Sequence, residues 1–147
     1  MVMSAFSAMD ISASGMTAQR LRTDIISQNI ANVNTTRDEN GQPYKRRTVV
    51  FEEKPSNSFS DYLSVASGSI GNGVKVSEIV EDNVTPMTMV YDPSHPDADE
   101  DGYVHYPNVN TVTEMTNMID ASRAYEANIT AFNATKSMTT QALQIGK

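Results

Sequence analysis

The sequence contains no cysteine and no tryptophan, and only four phenylalanines. Without cysteine there is no disulfide framework, no thiolate nucleophile and no thiolate metal site. With 39% apolar residues and few aromatic side chains, a chain of about one domain's length has little material for a large core. We therefore expect its stability to depend on partners.

Proline is absent from both ends of the chain, because all six prolines lie between Pro43 and Pro107. Proline breaks helices, so two helix-capable ends flank a broken middle. The charged residues of 1–34 cancel, as do those of 109–147, so the whole net charge of -7 lies in 35–108. Surface helices normally carry charged side chains on their outer face. These ends carry Ser, Thr, Asn and Gln instead, which predicts helices surrounded by protein.

The acidic balance excludes several functions. Nucleic-acid binding needs a basic stripe, and the only basic cluster, Lys45–Arg47, is followed by two glutamates. We interpret that cluster as a solvated strand edge, with a phosphate or membrane contact as the weaker alternative. No stretch approaches the roughly 20 apolar residues of a membrane span. The first residues have no positive charge before Arg20 and no continuous apolar run, so no Sec-type signal peptide is expected.

Helical periodicity marks both ends of the chain. From Val112 to Ile145, apolar or small residues recur at steps of three or four, which predicts a helix of about nine turns, roughly 50 Å long. A second helix is predicted from about Ser4 to Ile30, ended by asparagines that tolerate the left-handed cap conformation. The two apolar stripes favour an antiparallel, coiled-coil-like pair.

The middle of the chain reads as a small β unit. Alternating, β-branched segments between turn signals predict short strands at residues 44–51, 74–80, 87–91 and 103–104. The small and polar stretch 56–73 is predicted to be a loop. The predicted fold is thus mainly α with a small β insert, in which residues 1–34 and 109–147 form an axial helical domain and residues 35–108 form the β- and loop-rich middle.

The acidic stretch 97–102 is the sharpest chemical motif. It places carboxylates at the first, third and fifth positions of a calcium loop and Gly at the sixth, but the twelfth position is Asn108 rather than a bidentate Glu. A solvated turn is therefore favoured, without calcium binding of functional strength. The only histidines, His95 and His105, lack the spacing of a zinc motif. No nucleophile elbow or phosphate loop occurs, so we expect neither an enzyme nor a cofactor.

Two stretches are similar to signatures of a known family. Residues 15–36, which include Asn29-Ile30-Ala31-Asn32, and residues 118–128, which include Arg123-Ala124-Tyr125-Glu126-Ala127-Asn128, resemble the terminal segments of the axial proteins of the bacterial flagellum. That family comprises rod, hook and hook-associated proteins. Within that family, five segments from the middle of the chain resemble the proximal-rod members. These segments are 41–44, 73–76, 90–93, 101–104 and 107–109.

The resemblance implies a non-enzymatic subunit of the flagellar basal-body rod, the drive shaft that crosses the periplasm and transmits motor torque to the hook. It also implies a helical assembly of this chain with itself and with other rod subunits, and export by the flagellar type III apparatus without a cleaved Sec signal. Two alternatives stay open at this point. They are a secreted coiled-coil adaptor or chaperone, and a calcium-binding module that uses the turn 97–108.

One set of side chains is expected to carry assembly. Its apolar members should form the seam of the helix pair, and Asn29 and Asn32 should satisfy backbone groups where the first helix stops. Arg123 and Glu126 are three residues apart and share a helix face, so they could bond a neighbouring subunit. Alternatively, these residues only stabilise a free-standing hairpin. The full set is Leu21, Ile25, Asn29, Ile30, Asn32, Arg123, Tyr125, Glu126, Asn128, Ile129 and Phe132.

Overall fold

The computed structural model describes residues 2–38, 41–55 and 71–145. Two long helices, α1 (Val2–Ala31) and α2 (Thr111–Ile145), enclose four short strands in the sequence. The strands are β1 (Arg47–Glu53), β2 (Val74–Glu81), β3 (Thr88–Tyr91) and β4 (Tyr103–Tyr106). They form two separate two-stranded sheets, β1 with β2 and β3 with β4. The prediction of a mainly helical chain with a small β middle is confirmed.

Several uncharged polar side chains of the helices form hydrogen bonds within their own helix. Hydroxyl groups donate to the carbonyl four residues earlier, as Thr17 does to Ala13 at 3.0 Å. At the start of α2, Asn110 Oδ1 accepts from the Thr113 amide at 3.1 Å, which is an N-cap. Beyond the end of α1, Asn32 Nδ2 donates to the Gln28 carbonyl at 2.9 Å. Local hydrogen bonds therefore mark the end of α1 and the start of α2.

The first strand begins later than predicted, at Arg47 instead of Tyr44. The reason is that the preceding backbone is bonded elsewhere: the Tyr44 amide donates to the Thr35 carbonyl, and the Arg46 amide donates to the Asn108 side chain. The other three strands lie where they were predicted, to within two residues at each end. The predicted loop 56–73 lies outside the described residues except for 71–73, which form no regular element.

The chain divides into two compact units. One comprises Arg22–Val49 and Ile79–Asp120, and therefore contains the end of α1, the start of α2 and the β3–β4 hairpin. The other contains the earlier part of α1 and the later part of α2, with parts of β1 and β2. Among the described residues, few side chains are buried. The apolar ones are Ala18, Ile25, Ile26, Val104, Pro107 and Ala121, and the polar ones are Ser12, Asn29, Asn108 and Glu114.

The second helix leaves much of its apolar surface uncovered. Its exposed side chains include Val112, Met115, Ile119, Tyr125, Met138 and Leu143. This is the opposite of what a helix packed on a large core shows. Neither of the described helices combines the length and the apolar character needed to cross a bilayer.

Candidate functional site

Among the described residues, the most deeply buried charged group is the carboxylate of Glu114, in the first turn of α2, which is only 1% exposed. Its Oε1 accepts from Arg46 Nε and Nη2 at 2.9 and 2.8 Å. Its Oε2 accepts from Asn29 Nδ2 at 2.8 Å. A buried charge is tolerated only when it is paired and hydrogen-bonded, and the N-terminal turn of a helix further favours a negative charge. Both conditions are met here.

Asn29 lies near the end of α1 and is fully buried. Its Nδ2 donates to the Arg47 carbonyl as well as to Glu114, and its Oδ1 accepts from the Arg47 amide and from the Tyr44 hydroxyl. The side-chain amide can make about four hydrogen bonds, so it is saturated. Asn29 thus pairs with both backbone groups of Arg47, as a neighbouring strand would, and ties α1 to the start of β1.

That role differs from the one expected for Asn29, which was to satisfy backbone groups at the end of its own helix. Asn32 has the expected type of contact, because it bonds the Gln28 carbonyl. The Asn29 side chain points to the start of β1 instead of the end of its own helix. The periodicity of α1 alone could not reveal a partner eighteen residues later in the chain.

Asn108 also bonds the backbone of the segment that leads into β1. Its Oδ1 accepts from the Arg46 amide at 2.9 Å, and its Nδ2 donates to the carbonyls of Asp82 and Thr85 at 2.9 and 3.2 Å. The Asp82 amide in turn donates to the Arg46 carbonyl. The residue that departs from the calcium-loop pattern is therefore a buried structural residue. We call Asn29, Arg46, Asn108 and Glu114 together the polar clamp.

Tyr44 closes the polar clamp by donating its phenolic hydrogen to Asn29 Oδ1 at 2.9 Å. Burial raises the pKa of Tyr44 above its ordinary value, and the nearby carboxylates of Glu114 and Glu81 act in the same direction. The Arg47 guanidinium, 5.7 Å from the centre of the tyrosine ring, acts against this rise in pKa. The neutral phenol that the hydrogen bond requires is therefore favoured.

The basic cluster Lys45–Arg47 is not the solvated strand edge that was predicted. The Arg46 side chain is mostly buried in its ion pair with Glu114. Lys45 donates to Asn83 Oδ1 at 2.7 Å, and Arg47 pairs with Glu81 at 3.0 Å. Each cation has a partner inside the same unit: Arg46 points to the polar clamp, whereas Lys45 and Arg47 reach the end of β2 and the residues just beyond it.

In the acidic stretch 97–102, the carboxylates of Asp97 and Asp99 bind different partners. Asp97 accepts from the Thr36 hydroxyl at 2.8 Å and lies 3.6 Å from Arg37, whereas Asp99 lies 3.0 Å from His105 Nε2. In the described part of the chain, no group of three or more His, Asp or Glu side chains is placed to hold a metal ion. The expectation that calcium does not bind here stays a prediction.

The side chains expected to carry assembly are spread over several environments. Ile25 and Asn29 are buried. Arg123, Tyr125 and Glu126 are exposed. The remaining members are half-buried, and they are Leu21, Ile30, Asn32, Asn128, Ile129 and Phe132.

The two helices approach each other closely at Gly15. A Cβ atom added there would lie 2.7 Å from Asn128 Oδ1. This is shorter than van der Waals contact, so any side chain at residue 15 would require the Asn128 side chain to shift. The contact places Asn128, one of the expected assembly residues, against α1.

Three members of the polar clamp were missed by sequence reasoning, namely Arg46, Asn108 and Glu114. One signal could have found Glu114. It is the only acidic residue in the first turn of a helix that otherwise has few charges. No comparable local signal exists for Arg46 or Asn108, because their partners are distant in the sequence.

Comparison with known proteins relates the chain to flagellar rod proteins. A family described as flagella basal body rod protein matches residues 9–37, and a family described as flagellar basal body rod FlgEFG protein C-terminal matches residues 100–145. The flagellar basal-body rod protein FlgC of Bacillus subtilis is 49% identical over 99% of this chain and 100% of its own length. The chain belongs to the FlgC family.

Other FlgC-family relatives agree with this assignment. The FlgC protein of Borreliella burgdorferi is 47% identical over 97% of this chain and 98% of its own length. The FlgC protein of Escherichia coli O6:H1 is 38% identical over 94% of this chain and 95% of its own length. As a member of this family the chain is a structural protein of the flagellar basal-body rod and not an enzyme. The comparisons do not support an adaptor or a calcium-binding module.

Proposed function

We propose that this chain is a proximal-rod subunit, which packs with copies of itself and with other rod proteins into the shaft that carries motor torque across the periplasm to the hook. The exposed apolar surface of α2 is the observation that carries the proposal. Val112, Met115, Ile119 and several later apolar side chains are not covered by the rest of the chain. The helix also has few of the charged residues that usually cover a helix face exposed to water. Exposed apolar patches mark interaction sites, and neighbouring subunits would cover these side chains.

We infer that α1 and α2 pair as an antiparallel, coiled-coil-like hairpin and form the axial domain, residues 1–34 and 109–147. In one unit Gly15 lies against Asn128, and in the other Asn29 bonds Glu114. Asn29 lies later in α1 than Gly15, whereas its partner Glu114 lies earlier in α2 than Asn128. This order supports the antiparallel direction, and apolar residues such as Ile25 and Ile129 would then supply the seam.

The polar clamp suits a subunit that transmits force. Within one unit it joins α1, the start of β1 and the start of α2 through hydrogen bonds of 2.8 to 2.9 Å. Directional hydrogen bonds and a buried ion pair fix a register, whereas apolar contacts permit sliding. The helices of the shaft and the β region attached to them would therefore turn together.

We further propose that the chain is exported by the flagellar type III apparatus and folds fully only on assembly. The small number of buried apolar side chains supports this, because it supplies little free energy for folding in isolation. Packing in the rod would add many dispersion contacts and shift the folding equilibrium by mass action.

The substitution Ile129→Asp tests the assembly role. Ile129 is half-buried and shares a helical stripe with Tyr125 and Phe132, and an unpaired carboxylate there would cost several kcal/mol once the seam is covered. We expect loss of swimming and absence of the subunit from isolated basal bodies, while the subunit still appears in the exported fraction.

Val84→Asp is the matched control for this substitution, because Val84 is an apolar residue that is 93% exposed. We expect this variant to swim and to assemble like the natural protein. Normal swimming of the Ile129→Asp strain, with the variant present at its usual level, would remove the α2 stripe from the proposed mechanism.

A further inference from the structure

The hairpin of β3 and β4 presents one face outward. In its antiparallel register Met89 lies opposite His105 and Tyr91 lies opposite Tyr103. Successive side chains of a strand point to opposite faces, so these four share one face. Val104 belongs to the other face and is fully buried. Met89, Tyr91 and Tyr103, on the opposite face, are exposed, and we call that face the aromatic face.

The aromatic face is exposed and internally ordered. Met89, Tyr91 and Tyr103 are 62%, 64% and 42% exposed. The two tyrosine rings are 5.2 Å apart in an edge-to-face arrangement. Gly102 has φ +79° and lies beneath the Tyr91 ring, where a Cβ atom would come within 3.1 Å of that ring. Tyrosines held in place lose little entropy on binding and are frequent anchors of protein interfaces.

The segment that carries the aromatic face is acidic, although Arg37 of another segment lies 3.6 Å from Asp97. Residues 83–110 contain no lysine or arginine, and their charged side chains are Asp92, Asp97, Asp99, Glu100 and Asp101. An acidic partner would be repelled. A second copy that presented the same face would be repelled for the same reason. A lysine or arginine, in contrast, can lie over a tyrosine ring and reach a carboxylate at the rim.

We propose that the aromatic face is the docking surface for a basic, Lys- or Arg-bearing segment of a different protein that lies beside the rod. This inference rests on the proposed function, since it takes the chain to be in the basal body. The apolar rings provide the contact area, and the acidic rim selects the sign of the partner's charge.

Photo-crosslinking in isolated basal bodies tests the proposal. The full-length chain carries benzoyl-phenylalanine at Tyr91 or, as a control, at Ile79, which is also exposed. Mass spectrometry identifies the captured peptides. We expect the probe at Tyr91 to capture a segment of another protein with net positive charge. The double variant Glu100→Lys, Asp101→Lys should lower that yield about fivefold or more, whereas Glu78→Lys should leave it unchanged.

The outcomes separate the two hypotheses. Absence of the chain from basal bodies would contradict the proposed function, and with it the docking that depends on it. Presence of the chain without a cross-link at Tyr91 would overturn only the docking proposal. Capture of a neutral or acidic segment, capture of a second copy, or a yield unaffected by charge reversal would overturn it as well.

A second measurement avoids dependence on variants. The purified full chain is titrated with a nona-arginine peptide, and the tyrosine ring resonances are followed by nuclear magnetic resonance. We expect the signals of Tyr91 and Tyr103 to shift and to return in high salt, while Tyr125 does not respond. Equal shifts of all tyrosines, no shift at all, or equal shifts with nona-glutamate would overturn the proposal.

Discussion

At the scale of single residues, the value of the polar clamp lies in its completeness. Asn29 uses all its hydrogen-bonding capacity, and both oxygens of Glu114 have partners. A buried ion pair contributes little net free energy compared with apolar packing, but the loss of one partner costs several kcal/mol. The polar clamp therefore acts mainly by excluding other registers of α1, β1 and α2.

The substitution Asn29→Asp should be strongly destabilising. It places a second carboxylate beside Glu114 and replaces the donor to the Arg47 carbonyl by an acceptor. We expect a loss of about 3 kcal/mol or more in the free energy of unfolding, measured by urea denaturation of the purified chain. Asn34→Asp, at an exposed position just beyond α1, should change it by less than about 0.5 kcal/mol. Equal effects would show that Asn29 has no special role.

Tyr44 should make stability fall at alkaline pH. Its pKa is raised in the folded chain by burial, and an unfolded tyrosine titrates near pH 10. The stability contributed by Tyr44 is thus complete below about pH 10 and is lost as the pH rises through the higher pKa of the folded state.

Urea midpoints measured at pH 9 and at successively higher pH test this. Tyr44→Phe should reduce the alkaline decline, and the exposed Tyr91→Phe should not. Identical declines in both variants would contradict the assignment to Tyr44.

The sequence pattern singles out Asn29 but does not predict the contacts that it makes. Its partners Arg47 and Glu114 are 18 and 85 residues away in the sequence, and no local pattern encodes such a pairing. Arg46 belonged to a basic cluster whose neighbours suggested a solvated edge. Asn108 was noticed only as a departure from a calcium loop. Each residue acquires its role from the tertiary structure.

At the scale of elements, the helices were predictable because their signals are local. The absence of proline and the three-to-four spacing fix α1 and α2 to within about two residues. The start of β1 was not predictable to that precision. It is set by hydrogen bonds from Tyr44 and Arg46 to distant partners, which take their amides out of the strand ladder.

The close approach of the helices at Gly15 gives a prediction at this scale. Gly15→Leu would drive a side chain into Asn128, whose Nδ2 is held by the Ala124 carbonyl at 2.8 Å. Overpacking of this kind costs about 1 to 3 kcal/mol, measured as the urea midpoint of the purified chain. Thr17→Leu, exposed on the same helix, is the control and should be nearly neutral.

The same contact can be tested by a double-mutant cycle. In an Asn128→Ala background the space opposite Gly15 is larger, so the cost of Gly15→Leu should fall. Additive effects of the two substitutions would show that the helices do not meet at these residues in solution.

At the scale of the whole molecule, stabilising contacts are distributed unevenly along each helix. The end of α1 carries Ile25, Ile26 and Asn29, all buried, and the start of α2 carries Glu114. From residue 130 to 144, in contrast, no side chain of α2 is buried. Regions with few buried contacts open at low free energy. A subunit built in this way has a firm segment around the polar clamp and helix segments that depend on neighbours.

Hydrogen exchange on the dilute monomer should therefore show a gradient along both helices. Amides of residues 25–31 and 111–118 lie beside the polar clamp and should be protected, while those of 6–14 and 132–144 should exchange within the shortest labelling times. In isolated basal bodies all four segments should be protected, because neighbouring subunits then cover the exposed apolar side chains of α2. Strong and uniform protection along both helices in the monomer would show that they fold without partners. The proposal that the subunit completes its folding on assembly would then be wrong, although its place in the rod would not be affected.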